Sequence, residues 1–398
     1  MTIKREIQPQ WRNATRLVHA GQARSAFKET AEAVYMTSGY IYESAEEAEA
    51  AFDNSKPRFV YSRFGNPTVA MFEERMADLE GAEAARATSS GMAAVFAALA
   101  CQVKAGERIV SSDALFGSCQ YIQAEILTKW GVTVEFVDGR DNAAWERALS
   151  KPAKVVFLET PSNPSLRLVD LETVSRLAHA AGATVVVDNV FATPLLQQPL
   201  KLGADVVVYS ATKHIDGQGR ALGGVILGSA KFINETLQPF LRHTGPSLSP
   251  MNAWILLKGL ETLSLRVAHQ SASAERIAQV LNGHAKLERV LYPTLEGFPQ
   301  AELARRQMSG GGTMVGFSLK GGKPAAFRFL NALKLALISN NLGDSKTLAT
   351  HPMTTTHQRL TAEQRAQQGI DDGLIRVSVG LEDAQDLIDD LTQALRAV

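Results

Sequence analysis

Cysteine is scarce. The chain of 398 residues holds two, Cys101 and Cys119, too few for a disulfide framework or a CxxC zinc site. Both read as free thiols of a reducing compartment, and no metal site is expected. An excess of one charge is missing too: 41 Lys and Arg face 41 Asp and Glu. A neutral chain has no global pull toward nucleic acid or an anionic membrane. No apolar run approaches the ~18 residues of a membrane helix, and the stretch from Ala93 to Val103 already breaks at Gln102. The opening MTIKREIQPQWRN lacks the apolar segment of a secretory signal. What remains is ordinary globular composition, 45% hydrophobic and 21% charged, expected of a cytoplasmic multi-domain protein.

Several catalytic signatures are also absent. There is no GxxxxGK[ST] phosphate loop, no HExxH pair and no GxSxG elbow. The string GQGRALGG (Gly217 to Gly224) misses GxGxxG and precedes a strand-like run, so a nucleotide-dependent oxidoreductase is a poor reading. His351 and His357 are six apart, off any one helix face, and are expected as loop residues.

What is present alternates. The first sixty residues read as an extended arm with one helix near Ser44 to Phe52. Helical stretches follow at Thr68–Leu79 and Gly91–Cys101, with Ser89 and Ser90 as candidate N-caps. Strand-like runs lie at Arg108–Ser111, Val132–Val137, Lys154–Glu159, Thr184–Asp188, Asp205–Ser210 and Gly224–Leu227, with helices such as Leu171–Ala181 between them. That pattern predicts an α/β fold with a mostly parallel sheet covered on both faces. Pro250 to Asn282 reads as one long helix. Strand-like Thr313–Leu319 and Leu374–Val379 suggest a smaller α+β unit beyond it.

Ligands of such sheets sit beyond the C-terminal strand ends. Asp188 ends one run. Tyr209-Ser210-Ala211-Thr212-Lys213-His214 follows another, and Glu159-Thr160-Pro161-Ser162-Asn163-Pro164 a third. Pyridoxal phosphate needs such a set: a lysine amine for its aldehyde, a carboxylate for its pyridine nitrogen, and hydroxyls with a helix N-terminus for its phosphate. Lys213, Asp188, Ser210, Thr212 and the amides of Gly91 and Met92 are the candidates.

YSATKHIDGQG (Tyr209 to Gly219) resembles the lysine signature of the Cys/Met-metabolism, cystathionine γ-synthase-like enzymes, which depend on pyridoxal phosphate. TRLVHAG (Thr15 to Gly21), YSRFGNPT (Tyr61 to Thr68), SSGMAA (Ser89 to Ala94), ETPSNP (Glu159 to Pro164), VVDN (Val186 to Asn189) and GIDDGLIRVSVGLED (Gly369 to Asp383) extend the resemblance over nearly the whole chain. It implies an aspartate-aminotransferase-like (fold type I) architecture, divided as an arm (1–63), a cofactor-binding large domain (64–258) and a C-terminal α+β domain (259–398). It implies that Tyr61 and Arg63 reach the neighbouring subunit's phosphate, in a homotetramer built as a dimer of dimers. It also implies that Arg376 clamps the substrate α-carboxylate and that Asn163 lies near the cofactor's phenolic oxygen.

Two departures from the family pattern matter. The usual Tyr-Gly beside the cofactor ring is Phe116-Gly117, which keeps the stacking surface and loses the phenol. The usual Ser-Leu-Gly is Asn341-Leu342-Gly343, placing Asn341 among the substrate-binding candidates. NNLGDSKTLATHPMTTTH (Asn340 to His357) resembles the homoserine-ester sulfhydrylase branch. The expected reaction is γ-replacement: O-succinyl-L-homoserine and sulfide give L-homocysteine and succinate, in methionine biosynthesis. Cysteine as acceptor (a cystathionine γ-synthase), an O-acetyl donor, a methionine γ-lyase and a non-catalytic cofactor-binding protein are the alternatives. Phe116 argues against the lyase, because thiolate departure benefits from a nearby acid and carboxylate departure hardly does.

Overall fold

The computed structural model describes residues 3–4, 7–8 and 10–398. Its larger sheet has seven strands: β1 (Ala84–Thr88), β2 (Arg108–Ser112), β3 (Thr133–Val137), β4 (Val155–Glu159), β5 (Thr184–Asp188), β6 (Val206–Ser210) and β7 (Gly224–Gly228). Their spatial order is β1-β7-β6-β5-β4-β2-β3. β3, β2, β4, β5 and β6 run parallel, and β7 and β1 are antiparallel additions at one edge. Six of the seven match the expected runs to within two residues. β1 was not anticipated: AARAT has a single β-branched residue, and pairing with β7 from Ala84↔Gly228 to Thr88↔Gly224 makes it a strand.

The parallel strands are buried on both faces. Val155 and Phe157 pack with Ala94, Ala98 and Leu99, while Val156 and Leu158 pack with Trp145, Leu171 and Val174. Burying both sides removes the need for alternation, so β4 reads VVFLE without a polar break. The covering helices obey local rules. In α1 (Pro67–Glu80) the Asn66 side chain accepts the Thr68 and Val69 N–H groups, Pro67 sits in the first turn, and Gly81 closes at φ +79°. α2 (Gly91–Ala100) is capped by Ser90, which accepts the Ala93 N–H.

The expected single helix over Pro250–Asn282 is two: α3 (Pro250–Glu261) and α4 (Leu263–Leu281). No proline marks the break. Arg266 of α4 braces it: its guanidinium donates to the carbonyls of Gly259 (2.7 Å), His214 (2.6 Å) and Ile215 (3.3 Å). The Gly259 carbonyl at the kink is therefore satisfied by a side chain of the next helix, which also binds the loop after Lys213.

A second sheet has the order β8 (Leu287–Leu291), β9 (Met314–Leu319), β12 (Leu374–Ser378), β11 (Leu348–Thr350), β10 (Leu337–Ile338). β9 and β12 match the sequence expectation. β8 is half-exposed and β10 exposed, while β11 is buried but only three residues long, so none of them writes an apolar run. All five residues of central β12 are buried. Val315, Phe317, Ile375 and Val377 pack against Ala274 and Ile277 of α4. The arm carries a helix at Ala45–Phe52, capped by Ser44. Among the described residues, no helix is long and apolar enough to cross a membrane.

Candidate active site

A cavity of about 270 Å³ opens at the C-terminal ends of β4, β5 and β6, against the second sheet. Its wall includes Gly91, Met92, Phe116, Asn163, Asp188, Ser210, Thr212, Lys213 and Arg376. Asn341 touches it through Lys213, whose amine donates to the Asn341 side-chain oxygen at 2.6 Å. Ten of the twelve candidate residues thus converge. Tyr61 and Arg63 do not: Tyr61 is 41% exposed, and Arg63 bonds the Arg242 carbonyl with its guanidinium over the Phe64 ring.

Strand register sets the floor. Glu159 of β4 pairs with Asp188 of β5, so two carboxyls emerge side by side. Asp188 Oδ1 accepts the Val190 N–H at 3.1 Å, and burial raises its pKa to about 7. Glu159 is held by two backbone donors, Phe116 N–H and Asn163 N–H, each at 2.7 Å. Burial and the Asp188 charge push its pKa well up. The Cys119 thiol stands within 4.8 Å of both carboxyls and is driven strongly toward its neutral form by burial.

The other wall comes from β12 and the loop after β10. Arg376 is 1% exposed. Its Nη1 donates to Asn163 Oδ1 at 2.9 Å, and its Nη2 to the carbonyls of Asn340 (2.9 Å) and Asn341 (3.0 Å). The buried Nε has no acceptor among the described residues. Burial lowers the Arg376 pKa to about 10, which leaves it cationic at neutral pH. Lys213 is lowered to about 8, first by burial and then by the Arg376 charge.

The first turn of α2 abuts β6 so closely that a Cβ on Gly91 would stand 2.5 Å from Ser210 Cβ. Ser90 takes the Ala93 and Ala94 N–H groups, which leaves the Gly91 and Met92 amides at the cavity wall. The Thr212 hydroxyl is engaged with the Gly223 backbone, at 3.1 Å and 3.3 Å.

Glu159 was noted at its strand end but given no role; the signal was its register beside Asp188. His357 lies in a loop, as expected, yet it is 1% exposed and feels the Arg376 charge. Its Nδ1 pairs with Thr356 Oγ1 at 2.7 Å, and burial lowers its pKa to about 4. Nothing in its spacing announced that burial.

These residues fit pyridoxal phosphate. Phe116 offers a ring face, Asp188 a buried carboxylate and Lys213 an amine. Gly91 and Ser210 leave a small-residue cradle at a helix N-terminus. The model of the Cys/Met metabolism PLP-dependent enzymes matches residues 14–396, and the chain belongs to that family. It is 58% identical over 386 residues to a protein of Mycobacterium tuberculosis named O-succinylhomoserine sulfhydrylase, covering 96% of this chain and 95% of the relative. A Pseudomonas aeruginosa protein of the same name is 49% identical over 384 residues, covering 96% and 95%. A solved Campylobacter jejuni structure carrying N′-pyridoxyl-lysine-5′-monophosphate superposes with a TM-score of 0.93 at 31% identity, covering 97% of this chain and all of that one. The chain is a pyridoxal-phosphate-dependent enzyme.

Proposed function

We propose that the chain catalyses γ-replacement on O-succinyl-L-homoserine, with sulfide as the incoming nucleophile and succinate as the leaving group. The observation that carries this reading is the pairing of a base and a carboxylate clamp through one residue. Asn341 accepts from the Lys213 amine with its side chain and from Arg376 with its backbone. An α-amino acid whose carboxylate meets Arg376 therefore presents its α-carbon toward Lys213.

When bound, the cofactor supplies an electron sink for negative charge developing beside the substrate α-carbon. Asp188 would hold its ring nitrogen, Phe116 would stack on its ring, and Asn163 would sit by its phenolic oxygen. Ser210, Thr212 and the Gly91 and Met92 amides would hold its phosphate. Lys213 would bond its aldehyde carbon in the resting enzyme. Freed by substrate, the Lys213 amine takes the Cα proton, a task its lowered pKa of about 8 favours near neutral pH. Arg376 grips the α-carboxylate with its planar fork, including the Nε left unpaired within the chain. Phe116 excludes water and supplies no proton at Cγ, which suits a carboxylate leaving group. The proposed elements are an arm at 1–63, a large domain at 64–258 and a C-terminal domain at 259–398.

Tyr61 and Arg63 would complete the phosphate site of a second copy, in a cytoplasmic homotetramer built as a dimer of dimers. The arm's exposed apolar side chains, Phe27 at 92% and Ile41 at 90%, support such a contact. The deciding assay offers the holoenzyme O-succinylhomoserine with sulfide or with cysteine and identifies products by mass. Homocysteine formation should dominate. Cystathionine as the main product, or 2-oxobutanoate without acceptor incorporation, would overturn the reading in favour of a synthase or a lyase.

A further inference from the structure

One part of the proposed donor has no partner yet. A succinyl ester carries a terminal carboxylate roughly 6 Å beyond the ester oxygen when its arm is extended. The cations lining the Lys213 cavity are Lys213 and Arg376, and both are occupied by the α-carbon end of the substrate.

A second cavity, of about 430 Å³, adjoins the first. Its walls are the segment from Gly117 to Glu125 and the loop from Thr355 to Leu360. Thr356 lines both cavities, and Phe116 lines the first while its neighbour Gly117 lines the second. A Cβ on Gly117 would stand 3.2 Å from the Thr356 carbonyl oxygen. The partition is thus thin there, made by Thr356 and by Gly117, which has no side chain, next to the Phe116 ring.

Four titratable groups line this groove: Tyr121, Glu125, His357 and Arg359. His357 is neutral near pH 7, because burial lowers its pKa to about 4. Glu125, on the helix wall, repels an anion from that side. Arg359, on the loop wall, is exposed and has no hydrogen bond or ion pair among the described residues. Arg365, in the helix after this loop, is by contrast spent on the Leu360 carbonyl. Arg359 is therefore a free guanidinium fork, the shape that takes a carboxylate bidentately.

We propose that this groove is the subsite for the donor's acyl arm and that Arg359 pairs with its terminal carboxylate. The assignment rests on the succinyl donor proposed above. It makes Arg359 a specificity residue: an O-acetyl ester has nothing to offer it.

The test compares kcat/KM of the holoenzyme for O-succinyl- and O-acetylhomoserine, both with sulfide, in wild type, Arg359→Ala and Arg359→Lys. Free succinate serves as a competitive inhibitor in each. Because the guanidinium is partly solvated, Arg359→Ala should lower the succinyl value roughly tenfold. The acetyl value should stay within about twofold, and inhibition by succinate should weaken in parallel with the succinyl value. Arg359→Lys should be intermediate. Thermal unfolding should not move, since the side chain holds nothing in the chain. A wild-type preference for succinyl that survives in Arg359→Ala, or an equal loss for both esters, overturns this assignment alone. A wild-type preference for the acetyl ester overturns the donor reading and this assignment with it.

Discussion

Replacing Glu159 by Gln separates two descriptions of the site floor. Its two oxygens accept backbone N–H groups from Phe116 and Asn163, each at 2.7 Å. Two N–H donors aimed at the carboxyl favour the anion. Burial and Asp188 press the other way. Glutamine has one carbonyl oxygen, so one of the two buried N–H groups would face an NH₂ and stay unpaired, at a cost of about 1–3 kcal/mol. Relief of the buried charge offsets part of this, and we expect a net loss of about 1–2 kcal/mol in urea unfolding. The kinetic consequence follows from Asn163, whose side chain orients Arg376. If Asn163 shifts, KM for the amino-acid donor should rise roughly tenfold while kcat changes less. Glu159→Asp, with two acceptors and too short a reach, should behave similarly. Stability within about 0.5 kcal/mol of wild type and an unchanged KM would show that Glu159 is protonated, since Gln mimics the neutral acid.

Three further outcomes are expected. Mixing inactive Arg63→Ala with inactive Lys213→Ala chains should restore about a quarter of the activity, because one site per mixed dimer receives both intact residues; no recovery despite verified subunit exchange would refute a shared site. Phe116→Tyr should raise the ratio of kcat/KM for methionine over O-succinylhomoserine by about tenfold, the low end of general-acid assistance, with cofactor affinity little changed; a flat or falling ratio at full occupancy would show that this ring does not gate leaving-group chemistry. His357, held near 4 when folded, takes up its proton more readily unfolded, so its contribution to stability is lost as pH falls from about 6.5 to about 4. The loss is about 3 kcal/mol when complete. Asp188 and Glu80, raised to about 7 and about 8 by burial, act with the opposite sign from about pH 4 upward, across the same window, so the quantity to measure is wild type minus His357→Gln. A pH-independent difference would mean that His357 is not the titrating group.

Much of the large sheet was legible because strands buried on both faces write themselves as unbroken apolar runs. The candidate residues at its strand ends were legible for the same reason: Asp188 and Ser210 end such runs, and Lys213 follows within three residues. β1 was hidden because partner strand β7, not its own composition, makes it a strand. The break at Thr262 was hidden because no proline marks it; the one local sign is Gly259, whose close approach to the Ile215 carbonyl and bond to Arg266 are tertiary contacts. His357 was set aside as a loop residue because burial in a loop has no period. Tyr61 and Arg63 mark a different limit: a single chain holds them away from Lys213, and only the resemblance to a family suggests why.

The kink between α3 and α4 bears on how Lys213 is held. Arg266 holds the carbonyls of His214 and Ile215, the two residues immediately after Lys213. A Cβ on Gly217 would collide with the same guanidinium at 1.9 Å, so the loop is wrapped tightly around it. The backbone that carries Lys213 is therefore braced by a side chain from a different helix. Lysine at position 266 could not do the same, because one ammonium cannot span three carbonyls as a rigid fork does. The joint thus acts as a jig for the loop that carries the reactive amine.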